Sequence, residues 1–71
     1  MKRTAVNSSN VNSIGYDEEK NILEVEFKDR SVYQYFQVGK QIYLGLCKAS
    51  SIGGYLDKYI KRAGYKYQKI S

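Results

Sequence analysis

The sequence predicts an α+β domain: a small antiparallel sheet with two helices packed on one face, in the order βββααβ. Two observations support this class. Apolar and polar residues alternate strictly from Leu23 to Lys28, as is typical of a half-buried antiparallel strand. After Gly39 the apolar residues recur at helical spacing instead, so we expect helices that cover one side of the sheet.

The chain has room for one domain, because it contains 71 residues. Residues 1–9 are polar and without periodicity, so we expect a flexible N-terminus followed by a single domain over residues 10–71. The only cysteine is Cys47, and there is no histidine. Neither an internal disulfide nor a usual zinc site can form, and we expect no metal and no other cofactor.

Three strands are expected in the first half. The first lies in "NVNSIGYD", where two apolar side chains share a face. A turn at Asp17–Asn21 leads to the second strand, whose apolar side consists of Leu23, Val25 and Phe27. The reversal "KDRS" precedes the third strand, "VYQYF", which is rich in β-branched and aromatic residues.

The first helix is expected over Lys40–Ala49, where Ile42 and Leu46 are among the residues of an apolar stripe. Gly45 inside this helix costs up to about 1 kcal/mol relative to alanine, which indicates a close approach of another backbone. Cys47 lies beside the apolar stripe, so we expect a buried structural thiol and not a reactive one.

A second helix follows "SSIGG", with Leu56 and Ile60 among the residues of its apolar stripe, and either Ser50 or Ser51 can cap it. We expect Asp57 to pair with Lys61 one helical turn later. Gly64 is well placed to end the helix. The segment "YKYQKI" is then the last strand.

The orientation of Tyr33 and Tyr35 depends on the length of the loop at "KDRS". With two or four loop residues, Val32 and Phe36 join the core, and the tyrosines lie on the open face beside two glutamates. With three loop residues, the tyrosines lie under the helices. A three-residue hairpin loop usually has a glycine in the left-handed position, and this loop has none. We therefore favour the open-face register, although it buries Gln34.

The charge of the chain is concentrated in its second half. Residues 1–29 contain four basic and six acidic groups, and residues 30–71 contain eight and one, so the two parts have net charges of −2 and +7. A block that basic suits a nucleic acid, an anionic surface or an acidic protein. The alternative is a solvated lysine face that keeps a small domain soluble.

The sequence argues against an enzyme and against a membrane protein. Without histidine, Cys47 and the serines lack the usual base that activates a nucleophile. No apolar stretch matches a signal peptide or a membrane span of about 20 residues. One unpaired thiol in so small a chain favours a reducing compartment, and we expect a cytoplasmic protein.

The expected partners are RNA or an acidic protein surface. In the first hypothesis the chain is a non-catalytic RNA-binding or nucleic-acid-binding module whose cations contact phosphates and whose tyrosines stack on bases. The residues assigned to this role are Arg30, Lys58, Lys61, Arg62, Tyr65, Lys66, Tyr67 and Lys69. In the alternative, the chain is a protein-interaction module that presents Tyr33 and Tyr35 to its partner.

The whole pattern resembles the KTSC domain, which occurs at the C-terminus of some lysyl-tRNA synthetases and alone in small bacterial and phage proteins. The matching stretches are "SSNVNSIGYD", "LEVEF", "VYQYFQV", "ASSIGGYLDKYI" and "YKYQKI", which together cover about Val6 to Ile70. The tyrosine-x-tyrosine at Tyr33 and Tyr35 is the most recognisable feature, and Gly39 departs from the pattern where we expect proline.

The resemblance implies a small α+β domain, so that residues 10–71 form a KTSC-like domain. The synthetase attachment suggests RNA binding. The occurrence in phage proteins suggests the alternative, a phage-derived inhibitor or adaptor that docks on a host protein.

Overall fold

A computed structural model describes all 71 residues and confirms the α+β class. Five strands form one antiparallel sheet in the order β1-β2-β3-β4-β5. The strands are β1 (Thr4–Ala5), β2 (Val11–Asp17), β3 (Ile22–Phe27), β4 (Val32–Tyr35) and β5 (Tyr67–Lys69). The helices are α1 (Lys40–Lys48) and α2 (Ile52–Leu56), and α2 continues directly into a π-helical segment, Asp57–Lys61, which we call the π segment.

Strand β1 lies within residues 1–9, for which we expected a loose terminus. Thr4 pairs with Ile14 at the edge of the sheet. Beside it, the Arg3 guanidinium lies 2.5 Å from a carboxylate oxygen of Glu24 in β3. Backbone pairing and this ion pair hold a polar segment that has no apolar periodicity, which is why the sequence pattern does not reveal the strand.

The core lies between the sheet and the helices. Leu23 and Val25 of β3 are fully buried together with Leu46 of α1. Leu56 of α2 and Ile60 of the π segment complete the contact from the helical side. Each such aliphatic side chain contributes roughly 1.5–3 kcal/mol by its removal from water. The apolar faces predicted for the second expected strand and for both helices are therefore confirmed at these positions.

The predicted register of the β3–β4 hairpin is wrong. Tyr33 pairs with Val25, and Tyr35 pairs with Leu23. Because directly opposed residues of antiparallel strands share a face, both tyrosines lie on the core face of the sheet. The loop has three residues, Lys28–Arg30, and this length reverses the parity that we favoured.

The three-residue loop forms without glycine because Arg30 itself takes the left-handed conformation, with φ of 72°. Its backbone N–H donates to the Phe27 carbonyl at 2.9 Å. The Asp29 carboxylate accepts from the backbone N–H of Ser31 at 3.0 Å and from the Ser31 hydroxyl at 2.6 Å, and these bonds lower the pKa of Asp29. The burial of Tyr35, which is 4% exposed, offsets the left-handed cost of about 1–2 kcal/mol.

The opposite face of β4 carries a polar network in place of the expected tyrosines. Val32, which we expected beneath the helices, lies on this face with Gln34. The Gln34 amide donates to Glu24 at 2.9 Å, and the other carboxylate oxygen of Glu24 pairs with Arg3. Glu24 is only 5% exposed, so this carboxylate is enclosed and paired.

Two details of the helices differ from expectation. Cys47 is exposed and not buried, because α1 contacts the core through the adjacent Leu46. Asp57 pairs with Arg62 at 3.1 Å and not with Lys61. The reason is the π segment, because a π-helical turn brings residues i and i+5 together.

Gly45 makes the close approach that its position in α1 predicted, but to a side chain and not to a backbone. A methyl group at Gly45 would overlap the hydroxyl of Tyr55 in α2. That hydroxyl donates to the Ile42 carbonyl at 3.0 Å, which fixes the tyrosine in place. The cap of α2 is confirmed, since the Ser51 hydroxyl accepts from the N–H of Gly54 at 3.1 Å.

We expect Arg30→Gly to raise the free energy of unfolding by about 0.5–1 kcal/mol, because glycine adopts the left-handed conformation without steric cost. Urea denaturation followed by circular dichroism measures the change. Arg30→Ala is the matched control, because it removes the same charge but keeps the left-handed strain. Equal stabilities of the two variants would contradict this account of the loop.

We expect Gly45→Ala to lower the free energy of unfolding by about 1–3 kcal/mol although alanine is the better helix former, because the methyl group displaces Tyr55. The control is Gly39→Ala, where a methyl group meets nothing within 4 Å. This second variant should be neutral or slightly stabilising in the same denaturation experiment. A neutral Gly45→Ala would show that Tyr55 does not pack against α1 as described.

Candidate functional site

A groove with a cavity volume of about 790 Å³ runs between the sheet and the second helical region. The sheet supplies its floor, and α2 with the π segment supplies one wall. Its aromatic lining consists of Phe27, Tyr33, Tyr35, Tyr65 and Tyr67. Its charged lining consists of Lys28, Asp29, Asp57 and Lys61. We call this feature the tyrosine groove.

The aromatic floor is centred on Tyr33. The ring of Phe27 meets it edge-on with centroids 5.7 Å apart, and the ring of Tyr35 lies nearly parallel at 6.4 Å. Tyr67 of β5 lies 5.9 Å from Tyr33 and 5.8 Å from Tyr35. The cluster exists because Tyr35 and Tyr67 are directly opposed in the β4–β5 ladder, on the face that carries Tyr33.

The floor has a buried base and an exposed edge. Tyr35 is 4% exposed, Tyr33 is half-buried, and Tyr67 is 64% exposed. Burial, with the neighbouring tyrosines, raises the pKa of Tyr35 to about 12, so its hydroxyl stays neutral and can donate a hydrogen bond. The hydroxyls of Tyr16 and Tyr55 donate within the chain, whereas no such hydrogen bond is formed by the hydroxyls of Tyr33, Tyr35 and Tyr67.

The wall brings a cation to the aromatic floor. The Lys61 ammonium lies 4.7 Å from the ring centroid of Phe27, within the range of a cation–π contact. Because Asp57 pairs with Arg62, Lys61 has no carboxylate partner in the π segment. Lys58 lies over the ring of Tyr59, at 5.2 Å from its centroid.

Half of the residues that we proposed from the sequence line the groove, and the other half lie outside it. Those that line it are Tyr33, Tyr35, Lys61, Tyr65 and Tyr67. Those that do not line it are Arg30, Lys58, Arg62, Lys66 and Lys69. Lys69 is opposite Tyr33 in the ladder and so shares the face of the floor, whereas the carbonyl of Lys66 accepts from the N–H of Phe36 just before β5.

The profile of the KTSC domain family matches residues 7–67. The chain belongs to the KTSC domain family. An uncharacterized protein of Stutzerimonas stutzeri (strain A1501) is 40% identical over 70 residues, which cover 99% of each chain. The crystal structure of a KTSC domain protein from Yersinia pestis is similar with a TM-score of 0.93 and 34% identity, and the match covers 99% of this chain and 97% of that one.

In this KTSC domain, the tyrosine-x-tyrosine motif forms the floor of the groove, beneath the helical side of the sheet. Sequence reasoning missed Phe27 and the groove aspartates, Asp29 and Asp57, as parts of the same site. The signal that could have joined Phe27 to Tyr33 was the three-residue register, because that register puts the apolar side of β3 and the tyrosines of β4 on one face.

No group of three or more histidine, cysteine, aspartate or glutamate side chains is arranged to hold a metal ion. None of the helices has the length and apolar character needed to cross a bilayer.

We expect the free energy of unfolding to fall as the pH rises from about 10 to 12. The pKa of Tyr35 is about 12 in the folded protein, against about 10 for tyrosine in an unfolded chain. Below about pH 10 the folded and the unfolded state both keep the Tyr35 proton, so the contribution of Tyr35 to stability is fully present. Above about pH 10 the unfolded state releases this proton first, and the contribution is lost as the pH rises toward 12. Urea denaturation across this range measures the slope. Tyr35→Phe should reduce this slope. Equal slopes for Tyr35→Phe and the unsubstituted protein would contradict the prediction.

Proposed function

We propose that this KTSC domain is a non-catalytic module that binds single-stranded RNA in the tyrosine groove. The observation that carries the proposal is the cluster of three tyrosines from β4 and β5, one of them 64% exposed, beside the ammonium group of Lys61. Bases stack on such rings with about 1–3 kcal/mol each, largely independently of sequence. The ammonium group of Lys61 then binds the phosphates.

The distribution of charge supports the proposal. The chain has a net charge of +5. Lys61 lines the groove, Lys69 lies on the same face of the sheet, and Arg30 lies in the hairpin loop. In the register that we first favoured, carboxylates stood beside Tyr33. In the actual register Glu24 is on the opposite face and neutralised by Arg3, so that repulsion of phosphates does not apply.

We propose the cytoplasm as the compartment, since Cys47 is an exposed thiol in a chain with no second cysteine. The resemblance is to a domain that occurs at the C-terminus of some lysyl-tRNA synthetases, and this occurrence supports RNA over DNA as the nucleic acid.

The second candidate function is docking on an acidic protein, as a phage-derived inhibitor or adaptor does. It is favoured by the exposure of Tyr67, because tyrosine is a typical interface anchor.

We expect the protein to bind a fluorescently labelled nine-nucleotide oligouridine with micromolar or tighter affinity at about 50 mM salt. Fluorescence anisotropy at about 50 and 200 mM salt should give dissociation constants that differ by roughly 20-fold for three phosphate contacts. Tyr67→Ala should weaken binding about tenfold, because it removes the exposed stacking ring.

The matched control is Tyr59→Ala, which removes a tyrosine that is also exposed but lies outside the lining of the groove. This variant should bind as the unsubstituted protein does. Absence of binding at low salt, or an affinity that ignores salt, would contradict RNA binding and leave the protein partner as the better candidate. Equal losses in the two variants would contradict the groove as the site.

A further inference from the structure

The helical wall of the tyrosine groove carries one carboxylate. Asp57 is the first residue of the π segment, and it lines the groove together with Lys61. Its Oδ2 forms an ion pair with the Nε of Arg62 at 3.1 Å, and its side chain is half exposed. Oδ1 has no partner within the chain, so this carboxylate is oriented by Arg62 and still able to accept hydrogen bonds.

Asp57 differs in its position from the other aspartate of the groove. Oδ1 of Asp29 accepts from both the N–H and the hydroxyl of Ser31, so this carboxylate is part of the hairpin loop. Asp57 belongs to the helical wall, whereas Tyr33 and Tyr67 belong to the floor. A base that stacks on the floor turns its hydrogen-bonding edge toward the sides of the groove, where the helical wall presents the carboxylate of Asp57.

A carboxylate beside a phosphate-binding lysine weakens the attraction for the RNA backbone, so its favourable contribution must come from hydrogen-bond donors on the ligand. Guanine is the base that offers two adjacent donors on its Watson–Crick edge, the N1–H and the N2 amino group. Cytosine and adenine each place an acceptor nitrogen beside their amino group, and uracil places carbonyl oxygens on both sides of its N3–H. A carboxylate therefore accepts two charge-assisted bonds from guanine and one from any other base.

We propose that the groove selects guanine within single-stranded RNA and that Asp57 is the residue that determines this preference. The inference rests on the proposed RNA binding of the same groove. Arg62 acts through Asp57, as a positioning residue that orients the carboxylate.

The test uses four labelled nine-nucleotide RNAs, each with one variable base at the centre of an otherwise all-uridine strand. We expect the guanine oligomer to bind at least about fivefold more tightly than the other three, the lower range for a bidentate contact to a base. Asp57→Asn should abolish this ratio, because the amide replaces one acceptor oxygen by a donor. Its affinity for the all-uridine strand should stay equal or increase, because a negative charge is removed.

Glu18→Gln is the charge-matched control, because Glu18 pairs with Lys40 at 2.8 Å and does not line the groove. This variant should keep the guanine preference. Both partners of the Asp57–Arg62 pair are exposed, so Asp57→Asn is expected to fold, and circular dichroism checks this. Equal affinity of the unsubstituted protein for the four strands, tightest binding of another base, or a preference that persists in Asp57→Asn would overturn the inference and leave RNA binding intact. Failure of all four strands to bind at low salt would overturn both.

Discussion

Arg30 is held in the left-handed conformation, and this single backbone state sets which face of the sheet every side chain of β4 occupies. The state costs about 1–2 kcal/mol for a residue with a Cβ atom. Both faces of the hairpin offset that cost. On one face Tyr35 is removed from water, and on the other Gln34 donates to Glu24. The opposite register would place the Gln34 amide beneath the helices, where a polar group without a partner is costly.

This register separates the acidic and aromatic parts of the molecule. Glu24 is enclosed with Gln34 on one face, and the terminus passes over that face closely enough for Arg3 to neutralise the carboxylate. Gly15 permits this crossing, because a Cβ atom there would stand 2.7 Å from the carbonyl oxygen of Lys2. The tyrosines are left on a face whose nearest wall supplies a lysine.

The π segment determines how charges are presented along the wall of the groove. In a regular α-helix Asp57 pairs most easily with Lys61, four residues on. The wider turn moves the ion pair to Arg62, and the Lys61 ammonium lies over the ring of Phe27. One irregular turn therefore places an unpaired cation at the aromatic floor and a paired, oriented carboxylate close to it, which is the combination on which the proposed ligand recognition depends.

The groove itself could be predicted only in part. The tyrosines and Lys61 were identified as binding residues from their composition and charge, and the structure does place them in one groove. Their relation to Phe27 and Asp57 could not be predicted, because it depends on the hairpin register and on the π segment. Neither feature has a local sequence pattern: the loop lacks glycine, and the helical stripe in the second helix reads as regular.

The sequence by itself determined the α+β class and the core positions around Val25 and Leu46, because the alternation in the strand and the helical spacing after Gly39 are local periods that do not depend on the rest of the chain. The tertiary structure alone decided that Thr4–Ala5 forms a strand and that Tyr33 and Tyr35 face the helices. Both outcomes arise from small local energies that contacts distant in sequence outweigh. Arg3 meets Glu24 across the sheet, and Tyr35 is buried against strands that precede and follow it.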